Sequence, residues 1–242
     1  MQTVSIIIPV YNEEKRINKT IEEVINADTL GMNREIIIVD DGSSDGTVYN
    51  VKSQMLKVKN KDQKLKVIFI ERKINEGKGA ALKAGFEKAT GDILMVQDGD
   101  LEYFVKDYPV LLKPFIKNEA QIVYGSRNKA REKYGTSYSY LSFYWGGILL
   151  TWIVNILFGI HLSDQATGYK IFSKKIKYLL LKPNENRFSY EVALTATLAK
   201  EKIPFVEVPI HYQPRSIKEG KKIDIMDFID SVIVAVKYKI VL

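Results

Sequence analysis

The sequence predicts an α/β fold in which a mostly parallel central sheet is flanked by helices. Three observations carry this expectation. Short apolar runs of strand length alternate with longer segments whose apolar residues recur at helical spacing. Strand, helix, strand, helix in that order requires right-handed crossovers and a largely parallel sheet. The polar and acidic residues gather in loops that follow strand ends, the edge at which open α/β sheets bind ligands.

The elements can be taken in order along the chain. Residues 4–10 form an apolar strand. Residues 12–27 carry Ile17, Ile21, Val24 and Ile25 at helical spacing; a plain helix start, with Asn12 as N-cap and Glu13 favoured by the helix dipole, is the alternative to a binding role for these two residues. Residues 35–39 are a second strand, followed by Asp40-Asp41-Gly42-Ser43-Ser44-Asp45-Gly46-Thr47, in which Ser43, Ser44 and Asp45 cap the next helix. Residues 65–70 are a third strand, 76–89 a helix and 92–97 a fourth strand. In the second half, 121–125 and 205–210 are strands, 188–201 is a helix, and 225–238 is an amphipathic helix.

Composition sets the bounds. A chain of 242 residues can bury a real core, and no repeat, low-complexity tract or Pro/Ser-rich linker divides it. Residues 1–242 therefore read as a single domain. Cysteine is absent, which excludes disulfide and thiolate chemistry and fits a reducing compartment. Met1-Gln2-Thr3-Val4 shows no basic stretch ahead of an apolar one, so no signal peptide is expected. A net charge of +7 points to anionic partners: phosphates, acidic lipid or nucleic acid.

The chemistry concentrates in four loops of the first half. The fourth strand stops at Asp98-Gly99-Asp100, and side chains two apart in an extended chain point the same way. Two hard oxygen ligands on one face suit Mg²⁺ or Mn²⁺, which can bridge a diphosphate. The same residues can also simply end a strand in a turn. In Pro9-Val10-Tyr11-Asn12-Glu13, Pro9 sets the exit direction, Tyr11 can stack on a base or ribose, and Glu13 can accept hydrogen bonds from either. Asp41 can meet a base or sugar edge. In Asn75-Glu76-Gly77-Lys78-Gly79 the glycines permit close backbone approach and Lys78 can face a phosphate. The spacing is not that of a P-loop, and no strand leads into G-x-G-x-x-G.

These four loops, in this order, resemble the family 2 glycosyltransferases with the GT-A fold, a Rossmann-like nucleotide-binding architecture. Within them the chain is most similar to dolichyl- or polyprenyl-phosphate sugar synthases, and the resemblance covers nearly its whole length. It implies that residues 1–103 bind the nucleotide sugar and that 104–242 bind the acceptor. Pro9, Tyr11, Glu13, Val39 and Asp41 would line the nucleotide site, with Lys78 at a phosphate. Asp98, Gly99 and Asp100 would hold the diphosphate and a metal. Two residues beyond Asp100 the family often has a Gln ligand; here Glu102 stands, able to bind the ion but adding negative charge.

The second half carries the expected acceptor site. The fifth strand ends in Gly125-Ser126-Arg127, and by resemblance Arg127 sits at the donor or acceptor phosphates. Lys129, Arg131 and Lys133 precede Tyr134, Tyr138, Tyr140, Phe143, Tyr144 and Trp145, a mixture that suits nucleic acid or a membrane interface. The membrane reading is preferred because residues 141–160 contain no charge. At about twenty residues this stretch is long enough to span a bilayer. A span would separate Asp100 from Asp164, however, so interfacial helices over about 138–160 are expected, with a helix packed wholly in the core as the alternative. Asp164, in Asp-Gln-Ala-Thr-Gly-Tyr, resembles the family element facing sugar and acceptor; positioning is its expected role, with a general-base role open. Arg215 and Lys221 belong to a basic stretch that, in the family, closes over the phosphates. His161 and His211 have no metal-ligand spacing and read as structural.

The resemblance implies an inverting transferase in which Asp100, Asp164, Arg127 and Arg215 carry the chemistry, with Mg²⁺ or Mn²⁺ as cofactor. GDP-mannose is the first expected donor and UDP-glucose the second, with dolichyl or polyprenyl phosphate as acceptor. A peripheral or monotopic place on the cytoplasmic face of a membrane is expected, and no nucleic-acid partner. The alternative of another class is a non-catalytic nucleotide-sugar or membrane-surface binding module.

Overall fold

The computed structural model describes residues 2–58, 64–134, 141–215 and 225–241. The apolar runs become β1 (Thr3–Val10), β2 (Asn33–Asp40), β3 (Leu65–Glu71) and β4 (Ile93–Val96). They alternate with α1 (Ile17–Ile25), α2 (Thr47–Val58) and α3 (Lys78–Lys88). Then come α4 (Tyr108–Ile116), β5 (Ile122–Ser126), α5 (Arg127–Tyr134) and α6 (Leu141–Phe158). The chain continues through β6 (Lys170–Ser173), the short α7 (Lys177–Leu180), α8 (Tyr190–Lys200), β7 (Phe205–Pro209) and α9 (Ile225–Val241).

The seven described strands form one sheet in the order β3-β2-β1-β4-β6-β5-β7. β1, β2, β3 and β4 pair in parallel, as do β5 and β7; β6 runs antiparallel to both its neighbours. Every described strand but β6 therefore points its C-terminal end at one edge. The period of two along each strand divides the core. Ile6, Ile8, Ile36, Ile38 and Met95 pack on one face with Ile17 and Ile21 of α1 and Leu111 of α4. Ile7, Ile37, Val39, Leu94 and Val96 pack on the other with Leu82 and Phe86 of α3 and Leu194 of α8.

One local alternative is corrected. The first helix begins at Ile17, and Asn12 does not cap it. Asn12 adopts a φ of 50°, and its side chain serves the neighbouring loop. Its Oδ1 accepts from the Ser44 N–H at 2.8 Å, while its own N–H donates to Ser43 Oγ at 2.9 Å. A short polar side chain that can bond a loop backbone competes with helix capping, and here the loop wins. Asp45 caps α2 as expected, its Oδ1 accepting from the Thr47 N–H at 3.0 Å.

Of the stretch 138–160, residues 138–140 lie outside the described residues. Residues 141–158 form the single helix α6. It is neither wholly enclosed nor free. Leu150 and Val154 are buried against Val192 of α8 and Ala235 of α9. Trp145, Leu149, Trp152 and Ile156, spaced four, three and four apart, lie on the exposed side. The polar residues of the helix secure the loop that leads from it to β6. Asn155 accepts from the Leu162 N–H at 3.0 Å and donates to the Leu162 carbonyl at 2.8 Å, and Thr151 Oγ1 accepts from the Gln165 N–H at 3.1 Å. Among the described residues no helix is long and apolar enough to cross a membrane.

Candidate active site

A cleft of about 1170 Å³ opens at the C-terminal edge of the sheet, between the strand ends and helices α6 and α9. Pro9 and Tyr11 line it from the end of β1, Asp41 from β2, and Asp98, Gly99 and Asp100 from β4. Lys78, Arg127, Glu13, Glu102 and Arg215 line it too, so most of the expected site residues share one cavity. Two described ones do not join them. Val39 is buried in the core with Ile7 and Leu82, because the strand alternation turns its side chain under the sheet. Asp164 stands behind Arg127 and does not line the cleft. Lys221 lies outside the described residues.

Each charged group is held by a named partner. Asp41 is buried, accepting from the Gly77 N–H at 2.6 Å and from Arg72. Burial nonetheless keeps its carboxyl above the usual range. Lys78 opens α3, and its Nζ lies 2.7 Å from Asp98 Oδ1 and 2.7 Å from Glu191 Oε1. Burial opposes its charge, but the two carboxylates outweigh burial and hold it well above the usual lysine range. Glu191 also takes Lys170 Nζ at 2.5 Å. Burial works against the Glu191 charge, yet the two lysines bring its carboxyl down to about 2. The chain Lys170–Glu191–Lys78–Asp98 thus ties β6, α8, α3 and β4 together beneath the cleft.

The close packing at Gly168 explains why a small residue stands there: a Cβ would lie 2.2 Å from Asp98 Oδ2. The Gly168 N–H donates to the Tyr103 hydroxyl at 2.7 Å. Tyr103 stacks with Tyr169 at 4.9 Å and with Tyr212 at 5.1 Å between ring centroids. Arg127 lies over the Tyr212 ring at 5.0 Å. Its guanidinium makes a two-point bond to Asp164, Nε to Oδ2 at 2.7 Å and Nη2 to Oδ1 at 2.7 Å. Both oxygens of Asp164 are thus engaged by Arg127.

Arg215 binds three carboxylates at once: Glu13 Oε1 at 3.2 Å, Asp100 Oδ2 at 2.7 Å and Glu102 Oε1 at 3.0 Å. Burial, with the Asp98 and Glu102 charges, pushes the Asp100 carboxyl up to about 7 despite Arg215 and the Glu102 N–H. Such crowding of carboxylates is the surrounding a divalent cation would relieve. Among the described residues no three His, Asp or Glu side chains form a closed metal cage. Two hard carboxylates facing a cleft nevertheless fit Mg²⁺ or Mn²⁺, which commonly take one or two protein carboxylates and complete their shell with substrate phosphates and water.

Sequence reasoning missed Glu191, Arg72, Tyr103 and Tyr212. Arg72 directly follows β3 and so shares the edge position of the other loops, a signal available from the strand pattern. Glu191 sits in the first turn of α8, where a carboxylate reads as an ordinary dipole partner. Tyr103 and Tyr212 meet in an isolated antiparallel bridge across the chain that no local pattern announces.

Residues 5–179 match the sequence model of Glycosyl transferase family 2. A UDP-N-acetylglucosamine–dolichyl-phosphate N-acetylglucosaminyltransferase of Methanococcus voltae is 30% identical, the match covering 90% of this chain and 89% of that one. A dolichyl-phosphate β-glucosyltransferase of Trichomonas vaginalis is 29% identical over 98% of this chain and 74% of its own. A dolichol-phosphate mannosyltransferase of Pyrococcus furiosus is 28% identical over 90% of this chain, which spans only 58% of that protein. In structure, glucosyl-3-phosphoglycerate synthase from Mycobacterium tuberculosis, solved with Mg²⁺ and UDP, superposes with a TM-score of 0.68 at 18% identity, covering 98% of this chain and 79% of that one.

Proposed function

The chain belongs to glycosyl transferase family 2 with a GT-A fold, and on that premise we propose that it is an inverting transferase moving a hexose from a nucleotide sugar to dolichyl or polyprenyl phosphate. One observation carries the reading. The cleft has a charged floor, with Lys78, Asp98, Asp100, Arg127 and Arg215, and it continues into an apolar wall made by Trp145, Leu149 and Leu150 of α6 and Ile225 and Phe228 of α9. A phosphate carried on an isoprenoid tail needs both surfaces side by side.

The residues divide the work. Asp41, with Tyr11 and Pro9, faces the nucleoside. Lys78 and Arg127 supply positive charge to phosphates, Arg127 as a planar fork fixed by Asp164. A divalent cation held by Asp98 and Asp100 would offset charge on the leaving diphosphate. The acceptor phosphate is largely ionised at neutral pH, its second pKa being about 6, so it needs no buried base, in keeping with Asp164 being engaged by Arg127. Alignment of the acceptor oxygen with the anomeric carbon is then the main task of the cleft.

The named relatives divide among glucose, mannose and N-acetylglucosamine. Mannose from GDP-mannose is the first reading, and glucose from UDP-glucose is the second, favoured by the relative matched over 98% of this chain. The exposed apolar sides of α6 and α9 would seat the protein peripherally or monotopically on the cytoplasmic face of a membrane. The test is transfer of radiolabel from a panel of nucleotide sugars into the lipid phase with a polyprenyl phosphate, with and without chelator. Asp100→Ala should abolish transfer while the thermal melt stays cooperative, since Asp100 lies beyond the end of β4. Lipid-phase counts from no donor would sink the reading; full activity of the wild type in excess chelator would sink its metal dependence.

A further inference from the structure

On the acidic side of the cleft Lys78 sits on Asp98, and the guanidinium of Arg215 sits on Asp100. It touches Asp100 through Nη2, Glu13 through Nη1 and Glu102 through Nε. Glu102 contributes most: its Oε1 also accepts from the Arg215 main-chain N–H at 3.2 Å, and its Oε2 accepts from the Tyr212 hydroxyl. Both Glu13 and Glu102 are buried. Glu102 therefore aims at Arg215 with one oxygen and is fixed from behind through the other.

We propose that Glu102 is a positioning residue that holds Arg215, and that Arg215 occupies the divalent-cation place on Asp100 until the cation displaces it. The inference rests on the reading that this cleft takes a nucleotide diphosphate with a divalent cation. The physical ground is exclusion. Asp100 Oδ2, bonded to the guanidinium at 2.7 Å, cannot coordinate a cation at about 2.1 Å without bringing two positive centres together. One must leave. When Arg215 leaves Asp100, Glu102 and Glu13 still hold its remaining nitrogens, so the guanidinium stays beside the arriving phosphates. A ligand role for Glu102 would require one of its oxygens to share or surrender its bonds to Arg215 or to Tyr212.

The test reads metal binding directly. Mn²⁺ affinity of the purified protein is measured by electron paramagnetic resonance of the free ion, alone and with UDP or GDP. The variants are Arg215→Gln, Arg215→Lys, Glu102→Gln and the double variant Glu102→Gln/Arg215→Gln, each checked for a cooperative melt. Arg215→Gln should tighten Mn²⁺ binding about tenfold, the equivalent of removing one charge-assisted competing bond. Arg215→Lys, which keeps the charge but loses the fork, should fall between. Glu102→Gln should weaken binding less in the wild-type background than in the Arg215→Gln background, because only in the former does it also loosen a competitor. Unchanged or weaker Mn²⁺ binding in both Arg215 variants would overturn the exchange. Equal weakening by Glu102→Gln in both backgrounds would make Glu102 a ligand and overturn its positioning role. Absence of Mn²⁺ binding from every form, even with nucleotide, would instead overturn the metal-dependent reading and the exchange with it.

Discussion

Asp164 accepts from Arg127 with both oxygens, and its burial leaves the pair little help from water. Removing one partner of a buried pair strands the other, at a cost of about 3–5 kcal/mol. Arg127 is partly open to the cleft, so Asp164→Asn should cost about 3 kcal/mol in a denaturant melt. It should also lower turnover at least tenfold while nucleotide affinity holds. Unimpaired turnover would show that the orientation of Arg127 does not matter. Glu35 is a second buried carboxylate, at the opposite edge of the sheet. Burial opposes its charge, but Ser5 at 2.6 Å, the Thr90 N–H at 2.7 Å and Lys66 at 2.9 Å outweigh burial and lower its pKa to about 2. Because the folded value is depressed, this stability is present above the unfolded value of 4.5 and is lost as pH falls towards 2. The melting temperature of Glu35→Gln should sit below that of the wild type at pH 7, and the gap should close below about pH 4.5. A gap that stays constant down to pH 2 would contradict this account. Neither pairing was legible in the sequence: Asp98 and Asp100 announce themselves by spacing, whereas Asp164 and Arg127 lie far apart in the chain and meet only through the fold.

Among the elements, strands were legible as unbroken apolar runs, as in β1 and β2, and helices where burial recurs at helical spacing, as in α1. What the pattern could not supply was the face. In α6 the outer side is as apolar as the inner, so hydropathy alone leaves spanning, interfacial and core-packed helices in competition. Its Thr151 and Asn155 fasten the loop that delivers Asp164, a role that hydropathy does not announce. Contact between elements was also hidden. Where α3 meets α8, a Cβ on Gly79 would lie 2.4 Å from Tyr190 Cβ, and Tyr190 is fully buried with its hydroxyl on the Leu180 carbonyl at 2.7 Å. The tyrosine cannot step aside, so Gly79→Ala must push the helices apart, an overpacking cost of about 1–3 kcal/mol. Lys78 and Glu191 sit at the two facing helix starts, and the same shift should lengthen their bond. The expected outcome is a lower melting temperature together with weaker nucleotide binding by calorimetry. A lower melting temperature with unchanged nucleotide affinity would show that the Lys170–Glu191–Lys78–Asp98 chain tolerates the movement.

For the whole molecule, charge and apolar surface would make separable contributions to the proposed membrane attachment. The net charge of +7 attracts acidic lipid over a Debye length, about 10 Å at 0.1 M salt, and salt screens it. The exposed side chains of α6 and of α9, among them Trp152, Ile156, Ile233 and Ile240, offer an apolar contribution that salt does not screen. Sedimentation with anionic vesicles should therefore fall as NaCl rises from about 0.05 to 0.5 M without reaching zero. Replacing Trp152 and Ile156 together by Glu should remove the salt-resistant part. Neither side chain lines the cleft, so nucleotide binding by the same variant should be unchanged. Transfer to a vesicle-borne acceptor should then drop in step with the bound fraction. Two results would count against attachment through this face: wild-type sedimentation that salt abolishes completely, or a double variant that still pellets at high salt. Either would leave the apolar wall of the cleft to meet the lipid without help from the outer surface of α6.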